Sequence, residues 1–211
     1  MAPRARSGTA LAPERLRGGA AEILGRPLTD RALDLLVKYM NLLIKWQRSQ
    51  RLVGSSEPGW IVDHIVLDSL LFVRLLPSHT KRVLDVGSGA GVPGVPLKVV
   101  MHEAEMTLLE ARSKRASFLS AVVRELGLRG CEVVNARLET LLPDRMAQYD
   151  AVVMRCAGDP AMMKDAAMEL LRPGGVLVAS GPPKPKPSRS GDWIELSGPN
   201  GPRWFWIARQ T

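Results

Sequence analysis

Val83–Leu97 reads VLDVGSGAGVPGVPL. The apolar run Arg82–Val86 meets a glycine-rich loop that admits two registers, G-x-G-x-x-G over Gly89, Gly91 and Gly94 or G-x-G-x-G over Gly87, Gly89 and Gly91. In a dinucleotide fold the first glycine follows the strand directly, and the pyrophosphate sits over the next helix N-terminus. Gly87 holds that first place, so the later match is read as accidental. Asp85 decides further: a carboxylate at the strand end repels a pyrophosphate, but directly or through water it serves as counter-ion to an ammonium.

Working outward, short apolar runs at 82–86, 106–110, 131–135, 149–154 and 175–180 alternate with helical segments at about 96–101, 112–126 and 160–171. Strands alternating with helices of this length predict an α/β fold, a Rossmann-like parallel sheet with helices on both faces. Gly127 stops one helix, and Asp159-Pro160 starts another with a cap and an N1 proline. Trp193–Leu196 and Arg203–Ala208 read as an antiparallel edge hairpin across SGPNGP. Upstream, Leu33, Leu36, Val37, Met40, Leu43 and Ile44 share one helical stripe that Thr29 or Asp30 can cap, and a second helix runs from about Trp60 to Leu76, ended by Pro77.

The division expected is a basic arm over 1–26, disordered in its first dozen residues, a helical extension over 27–79 and a ligand-binding domain over 80–211. Inside the last lies GPPKPKPSRSG, 181–191, a stiff basic loop whose Lys184, Lys186 and Arg189 suit a polyanion. The net charge of +8 sits on the flanks: 1–79 holds 11 Lys/Arg and 7 Asp/Glu, 80–170 holds 12 of each, and 171–211 holds 6 and 2. A neutral centre between basic flanks suits a small molecule in the middle and RNA at the ends. Cys131 and Cys156 stand apart without ligand spacing, so neither a zinc site nor a disulfide framework is expected, and a reducing cytosol fits. No apolar run reaches the roughly 18 residues of a membrane span, nor does a signal-peptide h-region occur; a cytoplasmic protein without membrane contact is expected.

S-adenosylmethionine has an adenosine, a cationic amino-acid tail and no phosphate, and acid-x-G-x-G-x-G after the first strand is the usual form of the loop that holds it. The glycines let the backbone approach closely, and the next helix N-terminus is expected beside the methionine carboxylate. Glu110, 23 residues after Gly87, stands near the spacing of about 20 at which an acid accepts from ribose hydroxyls. NARLE, Asn135 to Glu139, follows the third strand at the expected adenine edge, and LLRPGGVLV, Leu170 to Val178, completes an order typical of class I methyltransferases. MRCAGDP, Met154 to Pro160, then holds the place of the acceptor. It lacks the (N/D)PP(Y/F) turn that meets an exocyclic amine. Cys156 stands about where a pyrimidine-carbon enzyme needs its nucleophile, without the usual Pro-Cys pair. Guanine N7 needs neither, because its lone pair is available and no proton leaves; Arg155 can donate toward O6 or stack.

DVGSGAGVPGVPL, MTLLEARSKRASFL, NARLE, MRCA and LLRPGG together resemble the RsmG family, also called GidB, with upstream similarity at WQRSQRL, Trp46 to Leu52, and DHIVLDSL, Asp63 to Leu70. The resemblance implies a monomeric enzyme that methylates guanine N7 of 16S rRNA in the small ribosomal subunit or its assembly intermediate. It also implies cofactor contacts at Gly87, Val92, Leu138, Glu139 and Arg155. His64 and Asp68 match a family pair at i, i+4 and are expected to share a helix face, to hydrogen-bond, and to border the cofactor or RNA cleft. The family's asparagines, threonine and lysine are replaced here by Gln47, Gln50 or Arg51, by Val53 and by Ser180. Two alternatives stay open: another RNA base methylated through Cys156, and a non-catalytic relative that binds S-adenosylmethionine or RNA.

Overall fold

A computed structural model describes residues 7–155, 160–182 and 191–210. One seven-stranded sheet has the order β3-β2-β1-β4-β5-β7-β6. Its strands are β1 Arg82–Val86, β2 Glu105–Leu109, β3 Cys131–Val134, β4 Tyr149–Arg155, β5 Leu171–Ser180, β6 Asp192–Gly198 and β7 Gly201–Arg209. β1 to β5 pair in parallel, whereas β7 runs antiparallel to β5 and β6 antiparallel to β7, so the expected hairpin forms the sheet edge. The chain reverses direction across the sheet between β1 and β4, and open parallel sheets bind ligands at that switch, outside the C-terminal strand ends.

Helices α5 Gly94–Val100, α6 Ser113–Leu126, α7 Leu138–Arg145 and α8 Pro160–Leu170 link the strands. Alternation along β1 sends Val83 into a core shared with the N-terminal helices, while Leu84 and Val86 pack on the opposite face with Leu138 of α7 and Ala167 of α8. Burial on both faces is why these strands read as near-continuous apolar runs. Gly127 ends α6 in the left-handed conformation expected of it, at φ 60. Helix α7 is not among the expected elements; Pro143 lies inside it, and buried Leu138 and Leu141 hold it nonetheless.

The amino-terminal segment departs from the expected disordered arm. Ser7–Leu24 forms a helix, α1, where the first dozen residues are expected to be disordered. Glycines 18 and 19 lower its intrinsic propensity, yet Leu16 and Ala20 are fully buried, and Arg15 forms a two-pronged ion pair with the buried Asp63. A Cβ on Gly19 would lie 2.5 Å from Leu67 Cδ1, so the glycine permits the close approach that pins α1. Tertiary burial outweighs local preference here.

Helix α2, Asp30–Gln50, starts as expected: Thr29 Oγ1 accepts from Ala32 N–H at 3.1 Å. It ends at Arg51 in a left-handed conformation, φ 47, and Gln47 clasps the turn by accepting from Val53 N–H at 2.8 Å while donating to Val53 O. The WQRSQRL motif is therefore a helix stop. The next rod starts at Pro58 and changes its hydrogen bonding along its length: α3 Pro58–Ile61, a π-helical stretch Val62–Leu67, α4 Asp68–Leu70 and a 3-10 turn Leu71–Leu75. Leu76 is extended before Pro77, as that proline requires.

Candidate active site

The glycine loop answers the question of register through its backbone. Gly87, Gly89 and Gly91 all have positive φ, +69, +55 and +87, a conformation other residues rarely adopt. Gly94 is not accidental, however. A Cβ there would meet Leu108 Cδ2 at 2.4 Å and Asp85 Oδ2 at 2.6 Å, so its hydrogen lets α5 sit directly on the sheet. Both registers are thus used, one for backbone shape and one for close packing.

Asp85 lies inside this packing, with no exposed surface. Its Oδ2 accepts from Gly94 N–H at 3.0 Å, so it braces the loop from below and does not reach a ligand as a direct counter-ion. The helix N-terminus is likewise occupied: Val95 N–H donates to Gly91 O, Pro96 has no N–H, and Leu97 N–H donates to Pro93 O. The expected helix-to-carboxylate contact therefore has no donor in this turn. Pro96 stands where its missing N–H costs least.

Burial pushes the Asp85 carboxyl up to about 7, against the Gly94 hydrogen bond. An unfolded aspartate titrates near 3.9, so between about pH 4 and 7 the unfolded chain has released a proton that the folded chain keeps, and this group's contribution to stability falls as pH rises. Asp85→Asn is expected to flatten the decline in unfolding free energy across that window, measured by urea titration at several pH values.

Above the loop, Glu110 lies just beyond β2 and is 5% exposed. Its Oε2 accepts from Gly89 N–H at 2.9 Å and its Oε1 from Arg112 N–H at 2.8 Å. A carboxylate has about four acceptor positions, so two remain open. Leu138 and Glu139 follow β3 in the first turn of α7, Leu138 packed inward and Glu139 exposed. Val92 is buried in the loop and donates its N–H to Ser88 O.

Tyr39 is a residue that the sequence reading missed. Its hydroxyl donates to Ala90 O at 2.7 Å, which ties α2 to the glycine loop, and burial raises its pKa far above the tyrosine range. The available signal was a tyrosine on an apolar stripe, which must find a partner for its O–H. Tyr39→Phe leaves the Ala90 carbonyl unpaired and is expected to cost about 1–3 kcal/mol, read from urea unfolding, with a parallel loss of ligand affinity.

At the C-terminal end of β4, Arg155 Nη2 sits 3.1 Å from Asp68 Oδ2 and also donates to His64 O. Asp68 is shared: Arg203 of β7 places Nη2 2.9 Å from Oδ2 and Nε 2.8 Å from Oδ1. Burial lifts the Asp68 carboxyl above its ordinary value, against the pull of both guanidiniums. Arg155 Nη1 is buried with no hydrogen-bond partner among the described residues. His64 and Asp68 do not pair as expected. His64 stacks on Trp60, ring centres 4.7 Å apart, with Nδ1 3.2 Å from Trp60 O, while Asp68 turns to the two arginines. The π-helical turn between them, where Asp68 N–H reaches back to Asp63 O, changes the spacing on which that pairing rested.

Ser180, at the family's lysine position, registers beside Arg155 across β4 and β5. Cys156, Lys184, Lys186 and Arg189 lie outside the described residues. Among the described residues no three His, Cys, Asp or Glu gather as metal ligands. A cavity of about 390 Å³ between Arg82, Glu105, Glu132 and Arg145 opens at the N-terminal strand ends, the wrong edge of an α/β sheet for a cofactor.

The sequence profile described as GidB, rRNA small subunit methyltransferase G, matches residues 32–182. The chain belongs to this family. The GidB chain is 40% identical over 166 residues to the ribosomal RNA small subunit methyltransferase G of Laribacter hongkongensis, covering 79% of the chain and 78% of that protein. It is 33% identical over 204 residues to the ribosomal RNA small subunit methyltransferase G 1 of Syntrophobacter fumaroxidans, covering 88% and 91%. Its fold superposes on the O-methyltransferase TomG of Streptomyces achromogenes, solved in complex with SAM, with TM-score 0.56 and 19% identity over 94% of this chain and 98% of that one. As a GidB protein it is an S-adenosylmethionine-dependent methyltransferase. The matched span holds the glycine loop, Glu110, Asp68 and Arg155; helix α1 and Arg203 lie outside it.

The cradle fits that cofactor. Three left-handed glycines give a close backbone approach, and Glu110 keeps acceptor capacity beside Gly89. No helix among the described residues is long and apolar enough to cross a membrane.

Proposed function

We propose that this chain methylates guanine N7 in the 16S rRNA of the small ribosomal subunit or its assembly intermediate, acting as a cytoplasmic monomer. The observation that carries this reading is the placement of Arg155, with Nη1 unpartnered among the described residues, at the strand switch beside the glycine loop. Gly87, Gly89, Gly91 and Val92 would border the methionine part of S-adenosylmethionine, Glu110 its ribose, and Leu138 and Glu139 its adenine. Asp85 supports that loop from beneath. Residues 80–211 carry the cofactor and 27–79 shape the cleft, with His64 and Asp68 behind Arg155. Lys184, Lys186 and Arg189 would meet the RNA.

Bound S-adenosylmethionine supplies an electrophilic methyl on a sulfonium, and its in-line displacement by N7 leaves a neutral thioether and a cationic guanine. The protein need not remove a proton. Its work is to hold the acceptor in near-attack geometry. Arg155 is the donor suited to guanine O6, because a planar fork already held by Asp68 and by the His64 carbonyl needs little further ordering. The test is incubation with methyl-labelled S-adenosylmethionine and small-subunit rRNA: label is expected in 7-methylguanosine, and label in any other nucleoside overturns the N7 assignment.

A further inference from the structure

Away from the cleft, a groove of about 880 Å³ runs between the start of α2, the end of α5 and the end of α6. Among the described residues that line it, five are basic or histidine, namely Arg26, Arg31, Lys98, His102 and Arg129, and none is Asp or Glu. In a chain with 29 Lys/Arg and 21 Asp/Glu that is a marked separation of charge. Asp30, beside Arg31, is turned to Arg17 at 3.4 Å, and Glu103 and Glu125, next to lining residues in sequence, are exposed outside the lining.

Local structure explains part of the set. Lys98 is 3% exposed and donates to His102 O at 2.7 Å and Ala104 O at 2.6 Å, which suits a cation in the last turn of α5. Arg26 donates to Val100 O at 3.3 Å. Both sets of partners are main-chain carbonyls, so neither of these contacts is an ion pair. Arg31 has no such account: it is exposed in the first turn of α2, where a cation opposes the helix dipole. Arg129 is exposed in the turn after α6. A position that costs local stability and adds to a groove lined by no acid among the described residues points to an anion outside the chain.

We propose that this groove binds the phosphodiester backbone of rRNA at a stretch remote from the methylated base. The inference rests on rRNA being the substrate. Helix α5 runs from the glycine loop to the groove, seven residues, or about 10 Å at 1.5 Å per residue, so a single RNA can reach both. The groove fixes the register of the RNA and carries no base reading, as is usual of phosphate contacts.

The test is the triple variant Arg26→Gln, Arg31→Gln, Arg129→Gln in the full chain, with the triple Arg→Lys variant as its charge-keeping partner. In the Gln variant the rRNA KM is expected to rise about tenfold or more at physiological salt, and the log-log salt slope of RNA binding to fall by roughly 2, at about 0.7 for each phosphate no longer neutralised. kcat at saturating RNA and S-adenosylmethionine affinity should stay unchanged, and the Lys variant should behave as wild type. Unchanged KM and slope, with wild-type methylation intact, would overturn the groove and leave the proposed function standing. A wild type that binds rRNA through these arginines yet never methylates it would do the reverse. Millimolar inorganic phosphate at constant ionic strength should not displace the RNA; displacement that the Gln variant abolishes would assign the groove to a small anion instead and overturn the proposal.

Discussion

Asp68→Ala is expected to destabilise the protein by about 3–5 kcal/mol, the cost of breaking a buried ion pair from one side. Asp68 is the only acid within ion-pair distance of Arg155 or Arg203 among the described residues, and its side chain is 8% exposed. Removal strands two guanidiniums at once. It also removes the polar tie between Arg203 of β7 and α4, leaving the Phe72 to Phe205 ring contact to hold the hairpin against the rod. Urea unfolding at neutral pH measures the loss. A variant that keeps wild-type stability would show that the two arginines find water or other partners, and would remove the fixed position of Arg155 on which the catalytic reading depends.

Gly94→Ala is expected to lower S-adenosylmethionine affinity by at least about fivefold, since ~1 kcal/mol or more of overpacking strain falls on the segment that shapes the cradle, and each ~1.4 kcal/mol is tenfold. The added methyl would come within 2.6 Å of both Leu108 Cδ2 and Asp85 Oδ2. Leu108 is fully buried in the core and Asp85 fully buried beneath the loop, so neither can retreat. Helix α5 must move instead, carrying Gly91 and its neighbours with it and breaking the Asp85 to Gly94 hydrogen bond. Gly127→Ala is the control: it too is a glycine of this domain, at φ +60, but nothing lies within 4 Å of its added Cβ. It should cost only about 1 kcal/mol of backbone strain and leave cofactor binding intact. Calorimetric titration of both variants separates the two effects.

The two variants probe different kinds of information in the chain. Gly87, Gly89 and Gly91 were legible because a positive φ is a local demand that only certain residues meet cheaply, and strands β1 to β5 because two-sided burial leaves a local apolar run. The steric role of Gly94 was not legible, since it depends on Leu108 from another strand. Tyr39 and Ala90 are 51 residues apart and Asp68 and Arg203 135 apart, and pairings across such separations leave no mark in a local pattern. Arg155 and Asp68 each stand out in the sequence as candidates, but their mutual ion pair, with His64 reduced to a main-chain acceptor, arises from the folding of the helical rod onto β4. Helix α1 was misread for a simpler reason: its composition is that of a flexible arm, and only the core it covers makes it a helix.

The central claim is that this cleft delivers a methyl group to guanine N7 of small-subunit rRNA. Its most direct test is nucleoside analysis of 16S rRNA from cells lacking the gene, compared with the same cells carrying it on a plasmid. One 7-methylguanosine is expected to disappear on deletion and to return with the wild-type gene but not with Arg155→Ala. An unchanged 7-methylguanosine content, with or without loss of a different methylated base, would contradict the account.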